Sequence, residues 1–263
     1  MTPRDPSADP SYWDAALDHN FEDLAIARDR LIEPEIQGTE AQILPARNYF
    51  DKRFKRILLG YSAGAPLQDL AEDYADAYGQ TYPDFLAANP PGSAGALVQP
   101  SFPRIARILS LAVLCRLRGA AAAGVVRAYD LWDYAGPLAE DQRDLIWEAM
   151  AQHLTSDQPR PDTADGVNFP EVYDPLWQAI APQTEQAARA DHLARFLEGW
   201  YPQMKAEYEA ETADFSANNY VYTGHWCLEA GAGAVLAGID DAALRSHPHY
   251  PKDFVDYARG AKP

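Results

Sequence analysis

Apolar side chains in this chain recur at steps of three and four, and nowhere in sustained alternation. Phe50, Phe54, Ile57, Leu58 and Tyr61 show the pattern first. Leu193, Phe196, Leu197 and Trp200 repeat it at i, i+3, i+4 and i+7. That spacing puts each set on one helix face, whereas a half-buried strand needs a period of two. Only the segment from Ala217 to Thr223 reads as a short strand candidate. The pattern predicts an all-α fold, a helical bundle of about 8–11 helices in two abutting helical subdomains.

The helices can be placed along the chain. Ala46 to Tyr61 carries Arg47, Lys52, Arg53, Lys55 and Arg56 on its polar positions. Ser62-Ala63-Gly64-Ala65 breaks it, and Pro66 suits the first position of the next helix. There Leu67, Leu70, Ala71, Tyr74 and Tyr78 share a face, while Asp69, Glu72, Asp73 and Asp76 project from the rest. A basic helix, a short turn and an acidic helix suggest an antiparallel hairpin with charges paired across it. Further helices are expected from Pro103, after Gly119 through Trp132, over Leu138 to Leu154, and from Pro182 until Tyr201-Pro202 kinks or ends it. The first ~15 residues should be loose, because three prolines fall in the first ten. Thr155 to Pro175, with five Pro or Gly residues, reads as the linker between domains 1–155 and 156–263.

Charge narrows the choice of partner. Lys and Arg total 22 against 39 Asp and Glu, a net charge of −17. Residues 1–155 hold 22 acidic and 14 basic side chains, and residues 156–263 hold 17 and 8, so no single tail is the source. Such a chain repels nucleic acid and anionic membranes and attracts basic proteins. Its most apolar stretch, Ile105 to Val126, is interrupted by Arg107, Arg116 and Arg118 and does not read as a membrane span. No signal peptide is visible, and Cys115 and Cys227 lie in apolar surroundings that suit buried free thiols. A cytoplasmic location is expected.

The most informative stretch lies near the carboxyl end. Trp226, Ala230, Gly233 and Ala237 fall three and four apart, one large aromatic followed by small residues that admit a neighbouring helix. Glu229 sits among apolar residues one turn from His225, where a buried His–Glu hydrogen bond is expected. Gly238 can end that helix, Asp240 can cap a short next one, and Pro248 and Pro251 stiffen a turn that Tyr250 anchors.

These residues resemble the PoNi immunity proteins, partners of PoNe-type DNase toxins of bacterial type VI secretion. The resemblance rests on Gly224 to Ala230, Gly238 to Asp241, and His247 to Phe254, three motifs in order within forty residues. Tyr61-Ser62-Ala63-Gly64 before Leu67 to Tyr74 matches the family's N-terminal pattern. Tyr61, Gly64, Trp226, Glu229, Gly233, Tyr250 and Pro251 are the motif positions expected to be structural. His225 and Phe254 depart from the usual aromatic and Leu. The resemblance implies two PoNi-type helical domains, a protein that is not an enzyme, no cofactor, and stoichiometric binding of a cognate basic nuclease toxin.

Candidate toxin contacts are acidic side chains on outward helix positions. They are Asp69, Glu72, Asp73 and Asp76, the cluster Glu207, Glu209, Glu211 and Asp214, and Asp240 with Asp241. Two other readings compete. A metal-dependent hydrolase could be drawn from His225, Glu229 and a nearby His, but the second helical His of a zinc-protease pattern is missing, and no metal is expected. A helical scaffold for another basic partner fits the charge equally well. No nucleophile elbow, phosphate loop or dinucleotide fingerprint occurs.

Overall fold

A computed structural model describes residues 2–32, 39–88, 102–131, 143–157, 160, 164–208 and 220–260. Helices dominate: α1 (Pro10–Ile32), α2 (Thr39–Ala63), α3 (Leu67–Tyr74), α4 (Tyr82–Ala88), α5 (Phe102–Leu114), α6 (Gly119–Leu131), α7 (Leu145–Leu154), α8 (Pro170–Ile180), α9 (Gln186–Tyr208), α10 (Leu228–Leu236) and α11 (Lys252–Arg259). A π-helical stretch, Ala75–Thr81, runs from α3 into α4. Among the described residues there is no strand, only an isolated bridge between Asp144 and Gly166. The fold is all-α, as the periodicity predicts.

The core is organised around α5. Ile105, Ile108, Leu109, Leu111, Ala112 and Leu114 are all buried, so α5 is apolar on nearly every side. A helix of that kind belongs at the centre of a bundle. It packs against α7, α10 and α11. One apolar cluster joins Phe54 and Ile57 of α2 to Leu109, Met150, Phe196, Leu228 and Phe254, and it is continuous across residue 155. A smaller cluster seats Trp13 and Ala16 of α1 on Leu59, Ala63 and Tyr222. Cys115 and Cys227 are buried free thiols.

The expected hairpin of α2 and α3 forms, and charges pair across it. Arg53 Nη2 lies 2.6 Å from Asp73 Oδ1 and 2.9 Å from Asp76 Oδ2. The single helix expected through Tyr78 instead widens into the π stretch. There Gly79 meets Gly124 of α6 so closely that a Cβ on Gly124 would fall 1.8 Å from the Gly79 carbonyl oxygen. Tyr74 and Tyr78 stack at 5.2 Å, and the Tyr78 hydroxyl donates to the Phe50 carbonyl at 2.9 Å.

Several local expectations need correction. The first residues are tied down: the Arg4 and Asp5 N–H groups donate to the Ser62 carbonyl at 2.8 and 3.2 Å, and Asp5 is buried. Part of the expected linker is helix, since Pro170 opens α8 and Pro175 lies inside it. Pro202 is accommodated within α9 rather than ending it. The helix expected at Trp226 begins at Leu228, and residues 220–223 form no strand. Asp144 caps α7 by accepting from the Ile146 and Trp147 N–H groups, while the start expected at Leu138 lies outside the described residues.

Candidate functional site

The end of α2 and the segment before α10 pack directly on each other. Ser62 Oγ donates to the Thr223 carbonyl at 2.7 Å and accepts from Trp226 Nε1 at 2.8 Å. Tyr61 meets Trp226 edge-on at 4.9 Å and stacks on Phe254 at 4.2 Å. Gly224 has φ 92°, and a Cβ there would lie 2.3 Å from both Ser62 Oγ and Trp226 Nε1. Only glycine satisfies both the backbone and the space. Arg4 completes a clasp over this junction. Its Nε donates to Asp253 Oδ2 at 2.6 Å and its Nη1 to the Tyr61 and Ala65 carbonyls at 3.0 and 2.9 Å. Gly64, with φ 91°, faces the Thr2 carbonyl beneath it.

A second junction centres on Asp241. This residue is 4% exposed, not on the surface as its place beside Asp240 suggests. It accepts from the Tyr250 hydroxyl at 2.9 Å, Arg259 Nη1 at 2.6 Å and Arg245 Nη1 at 3.3 Å. Burial pushes its carboxyl up, but the hydrogen bonds from Arg259 and Tyr250 and the nearby guanidinium charges outweigh this and hold it below the usual range. Pro251 packs against Gly231, and Gly233 faces Leu176, Ile180 and Leu193. The recognisable motif residues are therefore spent on internal junctions.

The histidines gather beside α9. Tyr201 lies 4.7 Å from the rings of both His225 and His249, and His249 Nδ1 is 2.8 Å from the His225 carbonyl. Burial, reinforced by His249, pushes the His225 imidazole down to about 4. Burial also lowers His249 and His247. His225 precedes α10, so it shares no helical face with Glu229, which is fully buried in the first turn of α10. Among the described residues, no group of three or more His, Cys, Asp or Glu side chains is placed to hold a metal ion.

The acidic candidates fall into distinct settings. Asp69 and Glu72 are exposed on α3, with Glu72 accepting from Gln68 Nε2 at 2.7 Å. Asp73 and Asp76 share Arg53, and Asp73 also lies 3.9 Å from Arg56 Nε, so part of their charge is neutralised in place. Asp240 is exposed and accepts from the Ala242 N–H at 3.1 Å, the capping role its position suggests. Glu209, Glu211 and Asp214, and the Glu207 side chain, lie outside the described residues.

Two further residues stand out that no sequence pattern marks. Arg116 and Phe169 have φ of 57° and 51°, the only non-glycine positions of positive φ among the described residues. Arg116 follows α5 where the chain reverses, with Leu117 N–H donating to the Ala112 carbonyl at 3.1 Å. It lines a cleft of about 360 Å³ with Gln68, Glu72, Arg118 and Tyr257. Phe169 is 54% exposed at the start of α8. Its one signal in the sequence is a lone aromatic in a polar Asp/Gly/Pro stretch, which does not by itself reveal a left-handed backbone.

Known proteins place this architecture. No curated protein matches the chain. The crystal structure of protein PA2201 from Pseudomonas aeruginosa superposes with a TM-score of 0.69, covering 98% of this chain and 91% of that one at 19% identity. That likeness concerns the fold. Residues 142–254 match the family described as PoNe immunity proteins (PoNi), C-terminal. The match contains both the Gly224–Trp226 segment and the Asp241–Tyr250 junction, and over residues 142–254 the chain belongs to the PoNi immunity protein family.

Proposed function

We propose that this protein neutralises a cognate antibacterial DNase of the PoNe type, delivered by type VI secretion, through a stoichiometric complex formed in the cytoplasm. The observation that carries the reading is the family match over residues 142–254. The burial of Tyr61, Trp226, Glu229 and Tyr250 supports a corollary. Side chains committed to packing leave recognition to the surface around them. The net charge of −17 supplies a physical reason for such a partner. A nuclease that grips phosphate presents a basic groove, and an acidic protein reaches that groove quickly and competes with DNA for it. Exposed Asp69, Glu72 and Asp240 are the acidic side chains assigned to this contact. Asp73 and Asp76 contribute less, because Arg53 already offsets them.

Co-expression with the nuclease encoded beside it tests the proposal. Growth restored by this chain, and a one-to-one complex on size exclusion, are the expected results. Undiminished killing with the protein well expressed would refute it.

A further inference from the structure

We infer that Phe169 is the apolar anchor of the partner-binding surface, a fixed aromatic knob set in an acidic surround and suited to a basic protein with an apolar socket. The inference rests on the immunity reading above and names the residue through which it acts. Phe169 is one of three large apolar side chains strongly exposed among the described residues, at 54%. The other two, Phe21 and Ile26, lie on α1, and Arg56 covers the Phe21 ring at 5.7 Å. Phe169 instead stands at the tip of a connection, where functional side chains concentrate.

Its backbone is held from both sides. Asp144, itself fully buried, accepts from the Asn168 N–H at 2.7 Å while capping α7 through Ile146 and Trp147. The Leu145 N–H donates to the Gly166 carbonyl at 3.0 Å. The Phe169 carbonyl accepts from the Val172 and Tyr173 N–H groups at 2.9 and 3.0 Å. These bonds fix a bulky residue in the left-handed region, where L side chains are rare. An aromatic held in place loses little freedom on binding, which is what an anchor residue requires.

The surroundings select the partner's charge. No Lys or Arg occurs between Arg160 and Arg189, whereas Asp162, Asp165, Glu171, Asp174 and Glu185 do. Asp165, Glu171 and Asp174 are exposed within five residues of Phe169. An apolar centre with a charged rim is the usual anatomy of a specific interface, and here the rim has one sign. A basic protein surface complements it; nucleic acid and anionic lipid are repelled.

The test is titration calorimetry of the full chain against a catalytically inactive form of the neighbouring nuclease, with Phe169→Gly and Phe169→Ala variants. Loss of the anchor should weaken binding about thirty-fold or more. Thermal unfolding of Phe169→Gly should show a midpoint equal to or above that of the parent, since glycine accepts this backbone freely. A lowered midpoint together with unchanged affinity would make Phe169 a packing residue and overturn the inference. Wild-type affinity in both variants, with tight binding by the parent, would overturn it while leaving the immunity reading intact. A parent chain that does not bind the nuclease would sink both.

Discussion

Trp226 Nε1 donates to Ser62 Oγ across 2.8 Å, joining side chains 164 positions apart and fastening the end of α2 to the start of α10. The same hydroxyl satisfies the Thr223 carbonyl, so Ser62 serves two buried groups at once. Ser62→Ala should lower stability by about 1–3 kcal/mol, because both groups stay buried without it. Trp226→Ala should cost about 3–5 kcal/mol through loss of packing on Tyr61. Chemical denaturation of the two single variants and the double variant should show a coupling of about 0.5–3 kcal/mol. Additive losses would mean that the bond contributes nothing of its own.

Gly224→Ala should be more damaging than Gly238→Ala. Both glycines have positive φ, but only Gly224 would drive its Cβ into neighbours, while Gly238 opens onto free space. Melting temperatures of the two variants decide this. An equal loss in both would show that the close approach to Ser62 and Trp226 relaxes without cost.

Arg116→Gly should stabilise the protein. The left-handed conformation costs an L residue about 1–2 kcal/mol, against about 0.5–1 kcal/mol for the greater unfolded-state freedom of glycine. A Cβ-free residue also suits the reversal after α5. A gain of up to about 1 kcal/mol in denaturant unfolding is expected, and a loss would show that the stacking of Arg116 over Tyr257, at 5.9 Å, outweighs the strain.

Acid should destabilise the fold first through histidine. His225 is lowered to about 4, and His247, His249 and His153 shift in the same direction, chiefly through burial. Each binds a proton more readily when unfolded, so its contribution is full above an ordinary pKa of about 6.5 and drains as pH falls toward 4. Below about 4 the lowered carboxyls of Asp241 and Glu148 add a second loss. Melting temperature should therefore fall across the first window, and His225→Gln should flatten that fall. A flat profile in the parent chain would contradict the assignment.

Charge reversal at Asp69 and Glu72 should slow association with the nuclease without moving the melting temperature. Both side chains are exposed, so the fold loses little, while long-range steering depends on net field and weakens with salt. Stopped-flow association rates at two salt concentrations measure this. Unchanged rates would place the contact elsewhere on the surface.

Much of the fold is legible in the sequence because helix periodicity is a local signal. Phe50 to Tyr61 and Leu193 to Trp200 announce their helices and buried faces, and opposite charges on α2 and α3 announce their pairing. The hidden features depend on distant partners. Asp241 reads as a surface acid until Tyr250, Arg245 and Arg259 converge on it. Arg4 looks like part of a loose end until Asp253 and two carbonyls receive it. Pro170 and Pro175 suggest a linker, yet proline at a helix start is compatible with α8. Of the candidate site, the motif positions can be read and their packing role anticipated. Phe169 cannot, because its left-handed backbone is imposed by Asp144 rather than by its own neighbours.

The clasp of Arg4 on Asp253 has a kinetic consequence. Its two side chains are separated by 249 positions, so it cannot form until almost the whole chain has left the ribosome. Contacts of such long range form late and slowly, since the loop they close is nearly the entire chain. Until that moment Tyr61 lacks Phe254 to stack on, and the far end of α2 stays uncovered. A cell making this protein therefore gains the finished junction only at the last step of synthesis, not progressively as each helix emerges.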